Sequence, residues 1–223
     1  MTCIVGLVHD GDIYMGADSA ATNGMLNQVN RKDEKVFKKG NMLFGFTSSY
    51  RMGQLLKYNL NIPRPFVDES LETYMYTRFI DSVRDCFKKG GFSRVMQNEE
   101  HGGTFLVGVE GRLFKISGDF QVGESMMCFD ACGCGEDLAK GAAYVLTKHD
   151  VNDNVPPEII VTEALEAASV FSAGVGGPLK ILKLEGIKEE NEQSKKESSQ
   201  KRATRTEGQK RTERKAKKPK KKK

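Results

Sequence analysis

Met1-Thr2-Cys3-Ile4-Val5-Gly6-Leu7-Val8-His9-Asp10-Gly11-Asp12-Ile13-Tyr14-Met15-Gly16-Ala17-Asp18 opens the chain, and the fold is read outward from it. The apolar run Ile4 to Val8, the Asp10-Gly11 pair and the second run Ile13 to Ala17 predict a β-hairpin, because Asp-Gly accepts the positive φ angles of a tight turn. The return strand brings Asp18 back level with Thr2. A small side chain after an initiator generally permits removal of Met1, which would leave Thr2 with a hydroxyl and a free α-amine on one residue. That pairing is a self-contained nucleophile and base.

Beyond Asp18, the polar stretch Ser19 to Asp33 reads as a loop. Lys35-Val36-Phe37 and Met42 to Phe46 flank a Lys39-Gly40 turn, making four strands by Phe46. Thr47-Ser48-Ser49 offers a helix N-cap, and Met52, Leu55, Leu56 and Leu60 form a helical stripe that must end before Pro63. A longer helix follows Asp68, with Leu71, Met75, Phe79, Val83 and Cys86 or Phe87 at three- and four-residue steps and Gly90-Gly91 at its end. Thr104 to Val109 and Arg112 to Ile116 predict a second hairpin. Phe120 to Val122 and Met127 to Ala131 continue the sheet. Cys132-Gly133-Cys134-Gly135 is a glycine corner before a helix whose stripe is Leu138, Ala142, Val145 and Leu146. Pro156-Pro157 opens the last helix, with Ile160, Ala164, Leu165, Ala168 and Phe171 inward, and Leu179 to Leu184 is the final strand. The order of strands and helix pairs predicts an α+β fold: two antiparallel sheets with helix pairs on their outer faces, a four-layer αββα sandwich.

Charge divides the 223 residues unevenly. Of 35 Lys and Arg, 16 lie in Ile187–Lys223, with 6 of the 30 Asp and Glu, so a tail of +10 follows a body of −5. The organisation expected is a globular domain over 1–186 and a disordered, Lys- and Arg-rich tail over 187–223. The chain shows no basic segment leading into an apolar core at its start and no run near the ~18 apolar residues of a membrane span, which points to a cytoplasmic protein without a membrane role. Cys3, Cys86, Cys128, Cys132 and Cys134 are an odd number, consistent with reduced thiols. His9, His101 and His149 are scattered, so the three close cysteines read as small packed residues, with no metal and no cofactor expected.

In the order of its elements and in a set of short motifs the chain resembles the proteasome β-type peptidases, including the simpler HslV type, within the N-terminal-nucleophile hydrolases. The motifs are Thr2-Cys3-Ile4-Val5-Gly6, Gly16-Ala17-Asp18-Ser19-Ala20-Ala21-Thr22, Lys35-Val36, Leu43-Phe44-Gly45-Phe46, Gly133-Cys134-Gly135 and Gly176-Gly177. The resemblance spans roughly Thr2 to Leu184. It implies that Thr2 is the nucleophile with its own amine as proton acceptor, that Lys35 polarises the hydroxyl, and that Asp18 holds Lys35 charged and oriented. It also implies an oxyanion donor in the backbone N–H of Ser48, where the family has glycine and where the seryl side chain would narrow the approach. Cys134 replaces the family's serine between two glycines. Ser172 stands where the archaeal and eukaryotic subunits have an aspartate.

The function implied is hydrolysis of peptide bonds through an acyl-enzyme, on peptide or unfolded protein substrates, inside a homo-oligomeric ring that an ATPase unfoldase would feed. A pocket formed by Ala21, Lys32, Phe46 and Tyr50 would receive the substrate side chain. Other readings stay open. Read alone, Thr2 is a strand-starting residue, Asp18 a turn former and Lys35 one lysine in the cluster Arg31 to Lys35, where Lys32 competes for its role. Cys3 would be a thiol nucleophile only after cleavage behind Thr2. The chain could also be a catalytically feeble scaffold whose tail binds nucleic acid nonspecifically or an acidic partner, with nuclear import in a eukaryotic host, or an amidase acting on a small molecule.

Overall fold

The computed structural model describes residues 1–22, 28–149 and 154–186. The basic tail over 187–223, for which disorder is expected, lies outside the described residues.

The opening hairpin forms as its sequence predicts: β1 (Cys3–His9) and β2 (Asp12–Ala17) pair antiparallel, with Ile4 opposite Ala17 and His9 opposite Asp12. Asp10 and Gly11 both take positive φ, 49° and 79°, which twists the turn to match the strands. Ser19 to Asp33 is a correction, since the stretch carries a small ribbon, β3 (Ala20–Thr22) with β4 (Gln28–Asn30), where a loop was expected. β5 (Val36–Lys39) and β6 (Met42–Phe46) follow.

Ser49 caps α1 (Tyr50–Gln54) by accepting a hydrogen bond from the Arg51 N–H, and this helix runs on as a π-helical segment, Leu55–Asn59. The second helix is capped by Ser70 and passes through α2 (Leu71–Tyr74) and a π-helical segment, Met75–Phe79, into α3 (Ile80–Lys89). A short exposed hairpin that the sequence reading did not anticipate, β7 (Arg94–Met96) and β8 (Glu99–His101), precedes β9 (Phe105–Val109) and β10 (Arg112–Ile116). β11 (Val122–Glu124) and β12 (Phe129–Gly133) complete the strands before α4 (Glu136–His149) and α5 (Pro157–Phe171). Phe120 lies ahead of β11 in a turn at φ 65°, so the expected strand starts two residues late. β13 (Lys180–Leu184) closes the fold.

Two antiparallel sheets result, in the orders β12-β1-β2-β13 and β11-β10-β9-β6-β5. β1 explains why they stack. Cys3, Val5 and Leu7 point to one side and pack with Ala139, Ala143, Ile160, Ala164 and Leu165 of α4 and α5. Ile4 points to the other and joins Ile13, Met15, Leu43, Leu106 and Leu113 between the sheets. A strand buried on both faces reads as a continuous apolar run, which is what Ile4 to Val8 shows. Phe44, Phe79, Phe87, Phe105 and Phe114 fill the third layer, between the second sheet and α1 to α3. The sheets approach so closely that a Cβ on Gly45 would meet Met15 Sδ at 2.6 Å. The αββα order holds.

Candidate active site

Several chain ends converge at one edge of this sandwich. Cys3 begins β1 and pairs with Gly133 at the end of β12, Asp18 follows β2, Lys35 precedes β5, and Thr47 and Ser48 follow β6. The same strand pairings that bury the core therefore carry Thr2, Asp18 and Lys35 to one place. Asp18 and Lys35 are each 2% exposed and Thr2 8%.

The Asp18 carboxylate is fully spent. Its Oδ1 accepts from the Lys35 ammonium at 2.8 Å and from the backbone N–H of Cys3 at 3.0 Å; its Oδ2 accepts from the N–H groups of Ala20 at 3.2 Å and Gly176 at 3.4 Å. One oxygen thus ties the lysine to the residue directly after Thr2. Lys35 also donates to the Ala20 carbonyl at 2.6 Å, so two of its three hydrogens are used and the third has no acceptor among the described residues. Burial pulls the Lys35 ammonium below the usual lysine range while Asp18 pulls it back. Burial and then the Asp18 charge push the Cys3 thiol up to about 12, which leaves it a protonated packing residue.

Thr2 is held by both of its ends. Its Oγ1 donates to the Met1 carbonyl at 2.6 Å, and its N–H donates to Cys134 Sγ at 3.3 Å. The Cys134 thiol in turn donates to the Thr2 carbonyl at 3.3 Å, and Ser172 Oγ donates to the same sulfur at 3.7 Å. Since the thiol proton goes to the carbonyl, the sulfur lone pair is what faces the Thr2 nitrogen. Gly133 makes this approach feasible: it sits at φ 104°, and a Cβ there would run into the Thr2 carbonyl oxygen.

Ser48 adopts φ 62°, in the left-handed region. Its Oγ accepts from the N–H of Thr104, just ahead of β9, at 3.2 Å, and Ser48 lines the pocket beside Thr2. Its own backbone N–H has no partner among the described residues. Such an unspent donor suits a developing oxyanion.

A pocket of about 200 Å³ opens beside Thr2, walled by Met1, Ala21, Thr22, Phe46, Ser48 and Tyr50. Lys32 is not in that wall; it lines an adjoining cleft with Asp33 and Tyr58, and it is Lys35 that meets Asp18. Met1 partly fills the entrance, its terminal nitrogen donating to the Thr22 carbonyl at 3.3 Å. Larger clefts of about 300 and 340 Å³ lie elsewhere on the body, and neither is lined by Thr2, Asp18 or Lys35. Among the described residues no three His, Cys, Asp or Glu side chains converge on a metal position, and no helix is long and apolar enough to cross a membrane.

Sequence reasoning missed the Ala20 carbonyl and the Gly176 N–H as partners of the buried pair. Both are backbone groups, whose placement no side-chain pattern announces.

No family model and no curated protein sequence matches the chain. Solved structures do. BPH of Thiobacillus denitrificans in complex with epoxomicin superposes with a TM-score of 0.68 at 20% identity, covering 84% of this chain and 100% of that one. HslV of Trypanosoma brucei gives a TM-score of 0.59 at 17% identity over 82% of this chain and 99% of that one. Anbu of Yersinia bercovieri gives 0.55 at 13% identity over 82% and 81%. At these identities the likeness shows the fold, which is that of the HslV-like and proteasome β-type proteins.

Proposed function

We propose that this chain is a threonine-type peptidase of the N-terminal-nucleophile kind, with Thr2 as nucleophile once Met1 has been released. The observation that carries the reading is the buried Asp18 carboxylate, one oxygen of which holds both the Lys35 ammonium and the amide that follows Thr2. A buried ion pair of this kind contributes little net stability compared with an apolar replacement, so a chemical role is the better account of it.

In the proposed mechanism the freed Thr2 amine, whose reference pKa is about 7.7 to 8, takes the proton of Thr2 Oγ1 as that oxygen attacks the substrate carbonyl. The positive Lys35 stabilises the developing alkoxide, and Asp18 keeps Lys35 charged and aimed. The Ser48 N–H receives the oxyanion, and Cys134, supported by Ser172, positions the amine through its sulfur. As the tetrahedral intermediate collapses, the Thr2 ammonium gives that proton to the departing amine, the peptide C–N bond breaks and the acyl group stays as an ester on Thr2 Oγ1; water, deprotonated by the same Thr2 amine, then hydrolyses the ester and the Oγ1 hydroxyl is restored. Peptide or unfolded protein is the substrate class, and a homo-oligomeric ring fed by an ATPase unfoldase is the assembly that the likeness to HslV suggests.

Hydrolysis of fluorogenic peptides tests this. Thr2→Ala should lose essentially all turnover, and intact mass should show Met1 absent from the active protein. Turnover that survives Thr2→Ala removes Thr2 from the mechanism. A second reading rests on Met1, which lines the pocket with its nitrogen bonded to the Thr22 carbonyl: while Met1 remains, Thr2 has an amide nitrogen and no base, and the body serves as a scaffold for its basic tail. Retained Met1 in the purified protein would favour that scaffold.

A further inference from the structure

The sulfur of Cys134 lies against the nitrogen that the release of Met1 turns into an amine. The distance is 3.3 Å, and Ser172 Oγ donates to the same sulfur at 3.7 Å. The thiol hydrogen points elsewhere, to the Thr2 carbonyl at 3.3 Å, so the side of the sulfur turned to the nitrogen carries lone pairs alone. Strand pairing fixes this meeting. Cys3 of β1 stands opposite Gly133 of β12, so in the antiparallel register the residue before one and the residue after the other come face to face. Cys3, Cys86 and Cys132 are buried, whereas Cys134 is exposed between two glycines. A serine hydroxyl would serve these hydrogen bonds better than a thiol. What sulfur adds is two-electron oxidation, to which accessible thiols are the most susceptible.

We propose that Cys134 is a modification site at which a peroxide joins its sulfur to the Thr2 amine as a sulfenamide. This rests on the release of Met1 in the threonine-peptidase reading, and not on hydrolysis itself. The thiol sulfur attacks one oxygen of hydrogen peroxide, the O–O bond breaks, and a sulfenic acid and water form; the sulfur has given up two electrons. The Thr2 amine then attacks that sulfur, an S–N bond forms, the S–O bond breaks, and the hydroxyl leaves with one amine hydrogen as a second water. A thiol reductant reverses the link. Its thiolate attacks the sulfur and the amine leaves with a proton, after which a second thiolate frees Cys134 and the two reductant sulfurs end as a disulfide. A sulfenamide nitrogen is a poor base beside an amine, so the modified protein lacks the proton acceptor for Thr2 Oγ1.

The experiment treats full-length protein, shown by mass to lack Met1, with hydrogen peroxide, digests it with trypsin in the absence of reductant and reads the peptides by tandem mass spectrometry. The N-terminal peptide should appear joined to the peptide carrying Cys134, lighter than their sum by two hydrogens, and dithiothreitol should separate them. Cys134→Ser should not form the link, and reductive methylation of the Thr2 amine before peroxide should prevent it in the wild type. Turnover of a fluorogenic peptide should fall by about a hundredfold or more in fully linked protein and return with dithiothreitol. Cys134 recovered as a sulfinic acid with the Thr2 amine still open to amine labelling, or bonded to another cysteine, overturns the proposal. If no peptide is hydrolysed even before peroxide, the peptidase reading fails, and the linked mass still decides the site: present, it stands; absent, it falls.

Discussion

At the scale of single residues the costliest feature of the body to bury is a lysine and an aspartate with almost no access to water, joined at 2.8 Å. Removing one member strands the other charge, and Asp18→Ala should lower the unfolding free energy by about 3 to 5 kcal/mol in urea titrations. Lys35→Met should also destabilise, and its comparison with wild type carries a pH signature. The native Lys35 binds its proton less tightly than the unfolded chain does, because burial opposes the charge. Between the lowered native value and 10.5 the unfolded state therefore holds more protons, and stability from this group rises with pH. The wild type should gain on Lys35→Met as pH increases through that window; a gap that narrows would contradict the assignment. Cys3 belongs to this scale as well. Its register in β1 was legible, while its protonation was not, since that depends on burial beside a carboxylate 15 positions away in sequence.

Among the secondary-structure elements, the opening hairpin was legible because its turn residues and both apolar runs agree. The helix after it was legible because a serine cap and a stripe coincide. α4 was not. The stripe Leu138, Ala142, Val145 and Leu146 was expected inward, yet Leu138 and Val145 are 38% and 54% exposed, and Ala139 and Ala143 are the fully buried residues. The outermost residue expected on α5, Phe171, is likewise 76% exposed, while Val161 takes a place in the core. The cause is close packing of α4 on α5 and β1, which admits small side chains and turns larger ones outward, so ranking residues by hydrophobicity picked the wrong face. Ala143→Leu should therefore cost about 1 to 3 kcal/mol by overpacking, and Val145→Ala should fall within about 0.5 kcal/mol of wild type, both measured by chemical denaturation. A reversed order would mean that α4 is rotated.

Over the whole molecule, the layer order followed from the succession of strands and helix pairs, since each apolar face must be covered by another element. The two small ribbons were not legible: their strands are three residues long, below the length at which alternation separates from chance, and β4 and β7 are exposed throughout. Charge was legible in full. A body of −5 carrying a tail of +10 predicts that any binding of DNA weakens steeply with salt and disappears when residues 187–223 are deleted. Gel-shift titrations at 50 and 200 mM salt check this, and binding by the truncated protein would place the contact on the body instead.

The lodging of Met1 against Thr22 has a practical corollary for anyone preparing the protein. A purification handle fused upstream must thread out through the cleft and converts the Thr2 nitrogen into a permanent amide, so such a preparation should be inert however well it folds. The same handle placed after Lys223 should leave hydrolysis intact, and equal rates from the two preparations would show that the cleft has another way of working.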